Sequence, residues 1–142
     1  MFKISARNQL AGTVCCVREG AVNGVVAIDL GCTKVKADIT MESIRELGLT
    51  EGKKAVAIIK ATNVMFAKGS EHLPLSARNQ FSGKVTKVVK GAVNGHVQLT
   101  TPCGQVISGS ITNEAIEELG LVEGADALAV VKATDVLVGV EE

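Results

Sequence analysis

The residues Ser5-Ala6-Arg7-Asn8-Gln9 return unchanged as Ser76-Ala77-Arg78-Asn79-Gln80, 71 positions further along the chain. A hydrophobic core has no use for so many polar side chains at two places. Arginine carries a rigid fork of N–H groups, serine a hydroxyl, and asparagine and glutamine an amide each. The pentapeptide is either a ligand cradle used twice or a structural corner built twice. Outward from it, the same offset joins Gly12 to Gly83, Gly20–Gly24 to Gly91–Gly95 and Cys32 to Cys103. From Ile39-Thr40 onward the offset is 72, which matches Ile111-Thr112. It then matches Glu46-Leu47-Gly48-Leu49 with Glu118-Leu119-Gly120-Leu121, and Lys60-Ala61-Thr62 with Lys132-Ala133-Thr134. About thirty positions agree, with one residue gained between Cys103 and Ile111. This is a tandem duplication. The expected units are residues 1–68 and 75–142, joined by a short polar linker at 69–74 that ends in a proline.

Within each copy the hydrophobic pattern is mostly that of strands. Thr13–Arg18 and Gly24–Leu30 are β-branched runs, and Lys34–Ile39 alternates polar with apolar residues. Lys54–Ile59 and Asp126–Val131 are nearly continuous apolar runs that predict a buried strand. Asn63–Phe66 and Asp135–Val138 predict a short last one. The pairs Asn23-Gly24 and Asn94-Gly95 predict hairpin turns with positive φ. One helix interrupts each copy: Thr40 caps Met41–Leu47 with Gly48 as its stop, and Thr112 caps Asn113–Leu119 with Gly120 as its stop. The expected fold is mainly β: two tandem OB-like five-stranded β-barrels, each with one short α-helix. A unit of this size supplies only about 3–5 kcal/mol from its own core, so the copies should pack on each other and the chain should oligomerise.

Composition narrows the function. Formal net charge is zero, split between ten Lys/Arg against seven Asp/Glu in residues 1–71 and five against eight in residues 72–142. No global field attracts nucleic acid or an anionic membrane. Phe2, Phe66 and Phe81 are the whole aromatic complement, too few for the stacking platforms of a single-strand binder. No apolar run reaches the roughly 18 residues of a membrane span. Met1–Ile4 leads straight into the first motif, so no signal peptide is expected and the location expected is cytoplasmic. Cys15, Cys16, Cys32 and Cys103 form no CxxC pair, and His72 and His96 complete no zinc spacing. All four cysteines are expected to be reduced, partly buried structural residues.

A search for catalytic groups finds little. Neither histidine recurs between the copies, Ser5 has no matching base, and no Walker or GxGxxG motif is present. What recurs is a set of donors: Ser5, Arg7, Thr40, Lys60 and Thr62, with Ser76, Arg78, Thr112, Lys132 and Thr134. They fall at strand ends and a helix cap, where backbone N–H groups are also free. Several donors with one or two cations suit a tetrahedral oxyanion, and nothing in the set is a nucleophile with a paired base. Structural readings stand beside this one: Arg7 paired with a surface carboxylate, Thr40 only capping, Lys60 only flanking a buried strand. Gly20–Asn23 and Gly91–Asn94 are plain turns, or backbone nests for an anion where symmetry brings several together.

These motifs in this order (SARNQ, GAVNG, Ile-Thr before the helix, ELGL-x-EG after it, and Lys-Ala-Thr) resemble the molbindin, or Mop, domain, twice over nearly the whole chain. The resemblance implies non-catalytic binding of molybdate or tungstate for intracellular storage, with no organic cofactor and no direct protein ligand to the metal. It implies a homotrimer of two-domain subunits. It also implies two kinds of site. The interface kind would use Ser5, Ala6, Arg7, Thr40, Lys60, Ala61 and Thr62, with Ser76, Ala77, Arg78, Thr112, Lys132, Ala133 and Thr134. The kind near a three-fold axis would use Gly20, Ala21, Val22 and Asn23, with Gly91, Ala92, Val93 and Asn94. The sequence departs from the pattern where His96 stands opposite Val25 and where Lys-Ala-Thr replaces Lys-Ala-Ser, a change that retains the hydroxyl. The alternative function is an oxyanion-sensing module that acts on a protein partner; an OB-type nucleic-acid binder is disfavoured by charge and composition.

Overall fold

The computed structural model describes residues 1–141. Ten strands, two short helices and two 3-10 turns follow one another in the same order in each copy. In the first copy β1 is Asn8–Arg18, β2 Asn23–Asp29, β3 Lys34–Thr40, α1 Met41–Glu46, β4 Lys54–Ile59 and β5 Met65–Lys68. In the second β6 is Asn79–Lys90, β7 Asn94–Thr100, β8 Val106–Thr112, α2 Asn113–Glu118, β9 Asp126–Val131 and β10 Leu137–Gly139. The 3-10 turns are Ala61–Asn63 and Ala133–Asp135. The mainly-β, OB-like architecture is as the pattern predicted. Among the described residues no helix is long and apolar enough to cross a membrane.

The sheets do not coincide with the repeats. One sheet runs β10-β4-β1-β2-β3 and the other β5-β9-β6-β7-β8, so each copy contributes its last strand to the other copy's sheet. The register is Leu137 opposite Ile58 on one side and Met65 opposite Val130 on the other. The expectation that each copy keeps its last strand is corrected here. Both faces of β4 are apolar: Ala55, Ala57 and Ile59 enter the main core, while Val56 and Ile58 meet Ala6 and Phe2 on the far side. The apolar cores of the two lobes merge into one cluster that holds Val14, Ile28 and Ile59 together with Phe81, Leu99 and Val131.

Side-chain size gives a reason for the exchange. Phe66 of β5 lies against Gly109 of β8, where an added Cβ would run into the phenyl ring. The counterpart of Gly109 in the first copy is Ala37, and the counterpart of Phe66 in the second is Val138. An unexchanged β5 would set the phenyl ring against the Cβ of Ala37. The exchanged arrangement pairs the larger side chain with the glycine and the smaller one with the alanine.

Other differences from expectation have local causes. β1 and β6 begin at the asparagine of the repeated pentapeptide, and the inward positions Asn8, Leu10 and Asn79, Phe81 are buried in the opposite lobe's company as well as their own. Each of these strands is bent by a bulge, at Val14/Cys16 and Val85/Lys87. Cys15 falls at the first bulge, between Val14 opposite Ile28 and Cys16 opposite Ala27. The helices end one residue early, with Leu47 and Leu119 as caps, and Gly48 and Gly120 stop them with φ of 62°. The Asn-Gly pairs are not positive-φ turns. Gly24 lies within β2, and a Cβ there would come 2.8 Å from both Ile44 Cδ1 and Met41 Sδ. That glycine lets α1 sit close on the sheet.

The cysteine expectation is also corrected. Cys32 and Cys103 are joined as a disulfide between the two copies, Cα to Cα 5.8 Å, while Cys15 and Cys16 are free. Burial pushes the Cys15 thiol up from its ordinary value, and nearby Lys34 works against that.

Gly109→Ala should destabilise the chain by about 1–3 kcal/mol through overpacking against Phe66. Adding Phe66→Val, which recreates the pairing of the other sheet, should recover part of that loss. A double-mutant cycle by urea unfolding checks it, and simple additivity would show that the two positions are not coupled.

Candidate functional site

The repeated pentapeptide does two jobs on alternate residues. Asn8 is 2% exposed and Asn79 1%. The Asn8 amide donates to Ser108 O at 2.8 Å and to Ile59 O at 3.2 Å, and its Oδ1 accepts from Ser108 N at 2.7 Å. Asn79 does the same to Lys36: Nδ2 donates to Lys36 O at 2.8 Å, and Oδ1 accepts from Lys36 N at 2.7 Å. Each asparagine thus clasps the backbone of the third strand in the other lobe. Gln9 exchanges both its amide bonds with the Phe2 backbone, and Gln80 with Leu73. The amides are structural.

Serine and arginine are left over. Among the described residues, ion pairs are confined to Met1–Glu141, Lys84–Asp126 and Lys90–Glu117, so neither Arg7 nor Arg78 is held by a carboxylate. No side-chain hydrogen bond in this part of the chain uses Ser5 or Ser76 either, the nearest bonds being those of the neighbouring amides. The asparagine clasp carries each arginine onto the opposite lobe. Arg78 lines a cavity of about 380 Å³ with Cys16, Arg18, Val25 and Lys36 of the first lobe. Arg7 lines one of about 330 Å³ with Lys87, His96, Gln98 and Ser108 of the second. In each, a row of outward residues on the first two strands supplies the floor. Arg18 lies opposite Val25 and Val25 opposite Asp38, whose carboxylate accepts from Asn23 Nδ2 at 3.1 Å.

The remaining predicted residues separate into two groups. Ser76, Ala77 and Lys132 share a third cavity of about 320 Å³ with Met65 and Leu75. The backbone turns that begin Lys60-Ala61-Thr62 and Lys132-Ala133-Thr134 are closed by Asn63 N to Lys60 O at 3.0 Å and Asp135 N to Lys132 O at 2.9 Å. Lys60, Thr62, Lys132 and Thr134 are exposed, Ala61 is half-buried and Ala133 buried. Ala6 is buried and Ala77 half-buried. These residues gather at the pentapeptide end of each lobe, since Asn8 pairs with Ile59 and Asn79 with Val131.

Thr40 and Thr112 belong to the other end. Thr40 lies opposite Asn23 and Thr112 opposite Asn94, and Met41 N and Asn113 N donate to Val22 O and Val93 O at 2.8 Å each. From Asn8 to Arg18 the strand runs about 30 Å at the usual rise. Within one lobe, therefore, the threonine cap and the Ser-Arg/Lys-Ala-Thr group do not meet; the cap sits beside Gly20–Asn23 or Gly91–Asn94. Thr40 Oγ1 accepts from Ser43 N at 3.1 Å and bonds Ser43 Oγ at 2.9 Å, while Thr112 Oγ1 accepts from Ala115 N at 3.1 Å. Both loops are exposed throughout, with Val22 74% and Val93 72% exposed at their tips. In the second, Gly91 N donates to Asn94 O and Asn113 Nδ2 to Gly91 O, which leaves Asn113 Oδ1 buried without a partner.

Cations beside the arginines escaped the sequence reading. Lys36, Arg18 and Lys87 differ between the copies, so a search restricted to recurring residues passes over them. Their signal was the outward phase of the alternating strands, which needs the cross-lobe contact before it means anything. Among the described residues no cluster of three His, Cys, Asp or Glu side chains is placed to hold a metal ion. The arrangement offers free donors and cations at two ends of each lobe, without a base aligned on a nucleophile.

The TOBE domain model matches the chain twice, over residues 4–66 and 75–138. The chain belongs to the TOBE-domain family. The tandem TOBE chain is similar to the cytoplasmic molybdate-binding protein ModG in its molybdate-bound crystal structure. Identity is 47%, with 99% of this chain and 100% of that one covered and a TM-score of 0.94. It is 40% identical to the molybdenum transport protein ModE of Herbaspirillum seropedicae, over 99% of this chain and 53% of that protein. It is 36% identical to the molybdenum-pterin-binding protein MopA of Rhodobacter capsulatus, over 96% and 52%. The chain spans about half the length of these two relatives. A single copy is 49% identical to a probable molybdenum-pterin-binding protein of Haemophilus influenzae, over 45% of this chain and 94% of that one.

Asn8→Ala should cost about 1–3 kcal/mol, because it removes a buried, fully bonded amide and leaves the half-buried Ser108 N–H without its acceptor. Ser5→Ala, at an exposed and unbonded hydroxyl, should stay within about 0.5 kcal/mol of the parent. Urea unfolding of the two variants side by side checks the division of labour within the pentapeptide.

Proposed function

We propose that this protein binds molybdate, and tungstate with it, reversibly and without transforming it, as a cytoplasmic store. The observation that carries the reading is the split within Ser-Ala-Arg-Asn-Gln. Its amides are consumed by the fold, while Ser5, Arg7, Ser76 and Arg78 keep their donors free beside exposed Lys60, Lys132, Thr62 and Thr134. A tetrahedral dianion is satisfied by such a set. Neutral donors each contribute about 0.5–1.5 kcal/mol net and charged ones about 1.5–3 kcal/mol, so a handful holds the anion and still lets it exchange. The ModG structure, similar over its whole length, holds molybdate.

Complete sites of the interface kind need a second subunit in this reading. The Ser-Arg and Lys-Ala-Thr group (Ser5, Ala6, Arg7, Lys60, Ala61 and Thr62, or their second-copy equivalents) lies about a strand's length from Thr40 in its own lobe. A neighbouring subunit would bring Thr40 or Thr112 to it. The loops Gly20–Asn23 and Gly91–Asn94 would then meet around a three-fold axis, with exposed Val22 and Val93 covered there. The assembly proposed is a homotrimer, which sedimentation velocity would read directly as three chains.

A sensing role is the second reading, favoured by the likeness to half of ModE, one of whose relatives in Escherichia coli is a DNA-binding transcriptional dual regulator. A pull-down that gains a stoichiometric protein partner only with molybdate would select it over storage.

Isothermal titration with molybdate, tungstate, sulfate and phosphate tests the binding itself. Heat with the first two and little with sulfate is expected; no heat with molybdate, or an equal response to sulfate, would sink the proposal. Arg7→Ala with Arg78→Ala should weaken molybdate binding at least about tenfold, the loss of one charged hydrogen bond per site, with the unfolding midpoint nearly unchanged.

A further inference from the structure

Cys32 and Cys103 are nucleophilic side chains that the oxyanion reading leaves unused. Both are exposed, they occupy equivalent turns of the two copies 71 residues apart, and they meet across the lobe junction with Cα atoms 5.8 Å apart. That spacing is in the middle of the range a disulfide spans. The two turns are already docked by groups other than sulfur. Gln105 Nε2 donates to Leu30 O at 2.7 Å, and Thr101, 5% exposed, holds the same glutamine through Oγ1 to Oε1 at 2.6 Å. Each turn is closed on itself, by Leu30 N to Thr33 O and by Thr101 N to Gln105 O, at 2.9 Å each. The pair is therefore held adjacent whether or not the sulfurs are bonded.

The strands that leave these turns are the two that the asparagines clasp. β3 starts at Lys34 and carries Lys36 to Asn79; β8 starts at Val106 and carries Ser108 to Asn8. From the clasping asparagines, Asn79 and Asn8, it is one position back along the chain to Arg78 and Arg7. We propose that Cys32 and Cys103 form a reversible redox latch, closed by thiol–disulfide exchange with a small-molecule disulfide, which tightens the clasp that seats Arg7 and Arg78 on the opposite lobe.

The step balances without a metal or a cofactor. The thiolate of one cysteine attacks a sulfur of the small disulfide, forms a mixed disulfide and releases one thiolate. The second cysteine, as thiolate, attacks the protein sulfur of that mixed disulfide, closes the Cys32–Cys103 bond and releases the other thiolate. The protein pair gives up two electrons and two protons, and the small disulfide becomes two thiols. Cys15, its thiol pushed up by burial, is a poor competitor. Cys16 is exposed, so both are replaced by serine to isolate the pair.

The test uses the full chain with Cys15→Ser and Cys16→Ser, equilibrated in glutathione buffers of graded disulfide content. Thiol alkylation is read by mass, and amide exchange at Lys36 and Ser108 by NMR. Both thiols should disappear together into a bond within one chain, and the two amides should exchange at least about tenfold more slowly in the closed form. Adding Cys32→Ser should abolish that dependence and leave Cys103 as a mixed disulfide with glutathione. Independent titration of the two thiols, a bond between chains, or a closed latch that leaves Lys36 and Ser108 exchange unchanged would each overturn the proposal. Neither readout contains molybdate, so failure of the oxyanion reading and failure of the latch are distinguishable. Comparison of the reduced and oxidised forms of the same chain removes any ambiguity from a variant that folds poorly.

Discussion

The clasp between Asn8 and Ser108, with its counterpart between Asn79 and Lys36, is the constraint on which the other features of the molecule depend. A buried primary amide that fails to satisfy its donor and acceptor costs as much as it can contribute. Each of these amides meets a backbone N–H and C=O presented side by side by a strand edge, the geometry that a neighbouring strand would otherwise fill. The clasp thereby joins the first strand of one lobe to the third strand of the other without a continuous ladder. Because the pentapeptide is identical in the two copies, one sequence feature generates both clasps and gives the junction its approximate two-fold character.

Strand exchange follows the same logic of interchangeable copies. β4 and β9 are apolar on both faces and need cover at the edge away from β1 and β6. Either copy's last strand has the right pattern to provide it. Local propensity does not decide between them, but volume does: the phenyl ring of Phe66 is accommodated by Gly109 and not by Ala37. The merged core makes the lobes a single folding unit in energetic terms, which resolves how copies of about 70 residues avoid the marginal stability of small domains. The exchange also carries each Lys-Ala-Thr turn, which precedes the exchanged strand, onto the lobe boundary.

Function is thus written on what the fold leaves over. In the pentapeptide, inward residues are consumed by packing and clasping, and outward ones remain available. The two threonine caps and their glycine loops stand apart at the far end of the long strands, so within one lobe they do not meet the Ser-Arg and Lys-Ala-Thr group. The surroundings of the two arginines differ: Arg78 shares its cavity with Arg18 and Lys36, Arg7 with Lys87 and His96.

The sequence by itself determined a great deal that is local or repeated. The duplication, the strand and helix content, the threonine caps, the helix stops at Gly48 and Gly120, and the candidate donor set all come from patterns within a few residues or from copy-to-copy identity. Three things were decided only by tertiary structure: which copy owns the last strand, what Asn8 and Asn79 bind, and that Cys32 meets Cys103. All three concern partners between 43 and 100 residues away, and a repeat whose two copies share one pattern makes own-copy and other-copy partners look alike in any local reading. Gly24 was misread for a related reason. An Asn-Gly pair signals a turn from its own chemistry, whereas the need for a missing Cβ beneath Ile44 and Met41 exists only once the helix has packed on the strand.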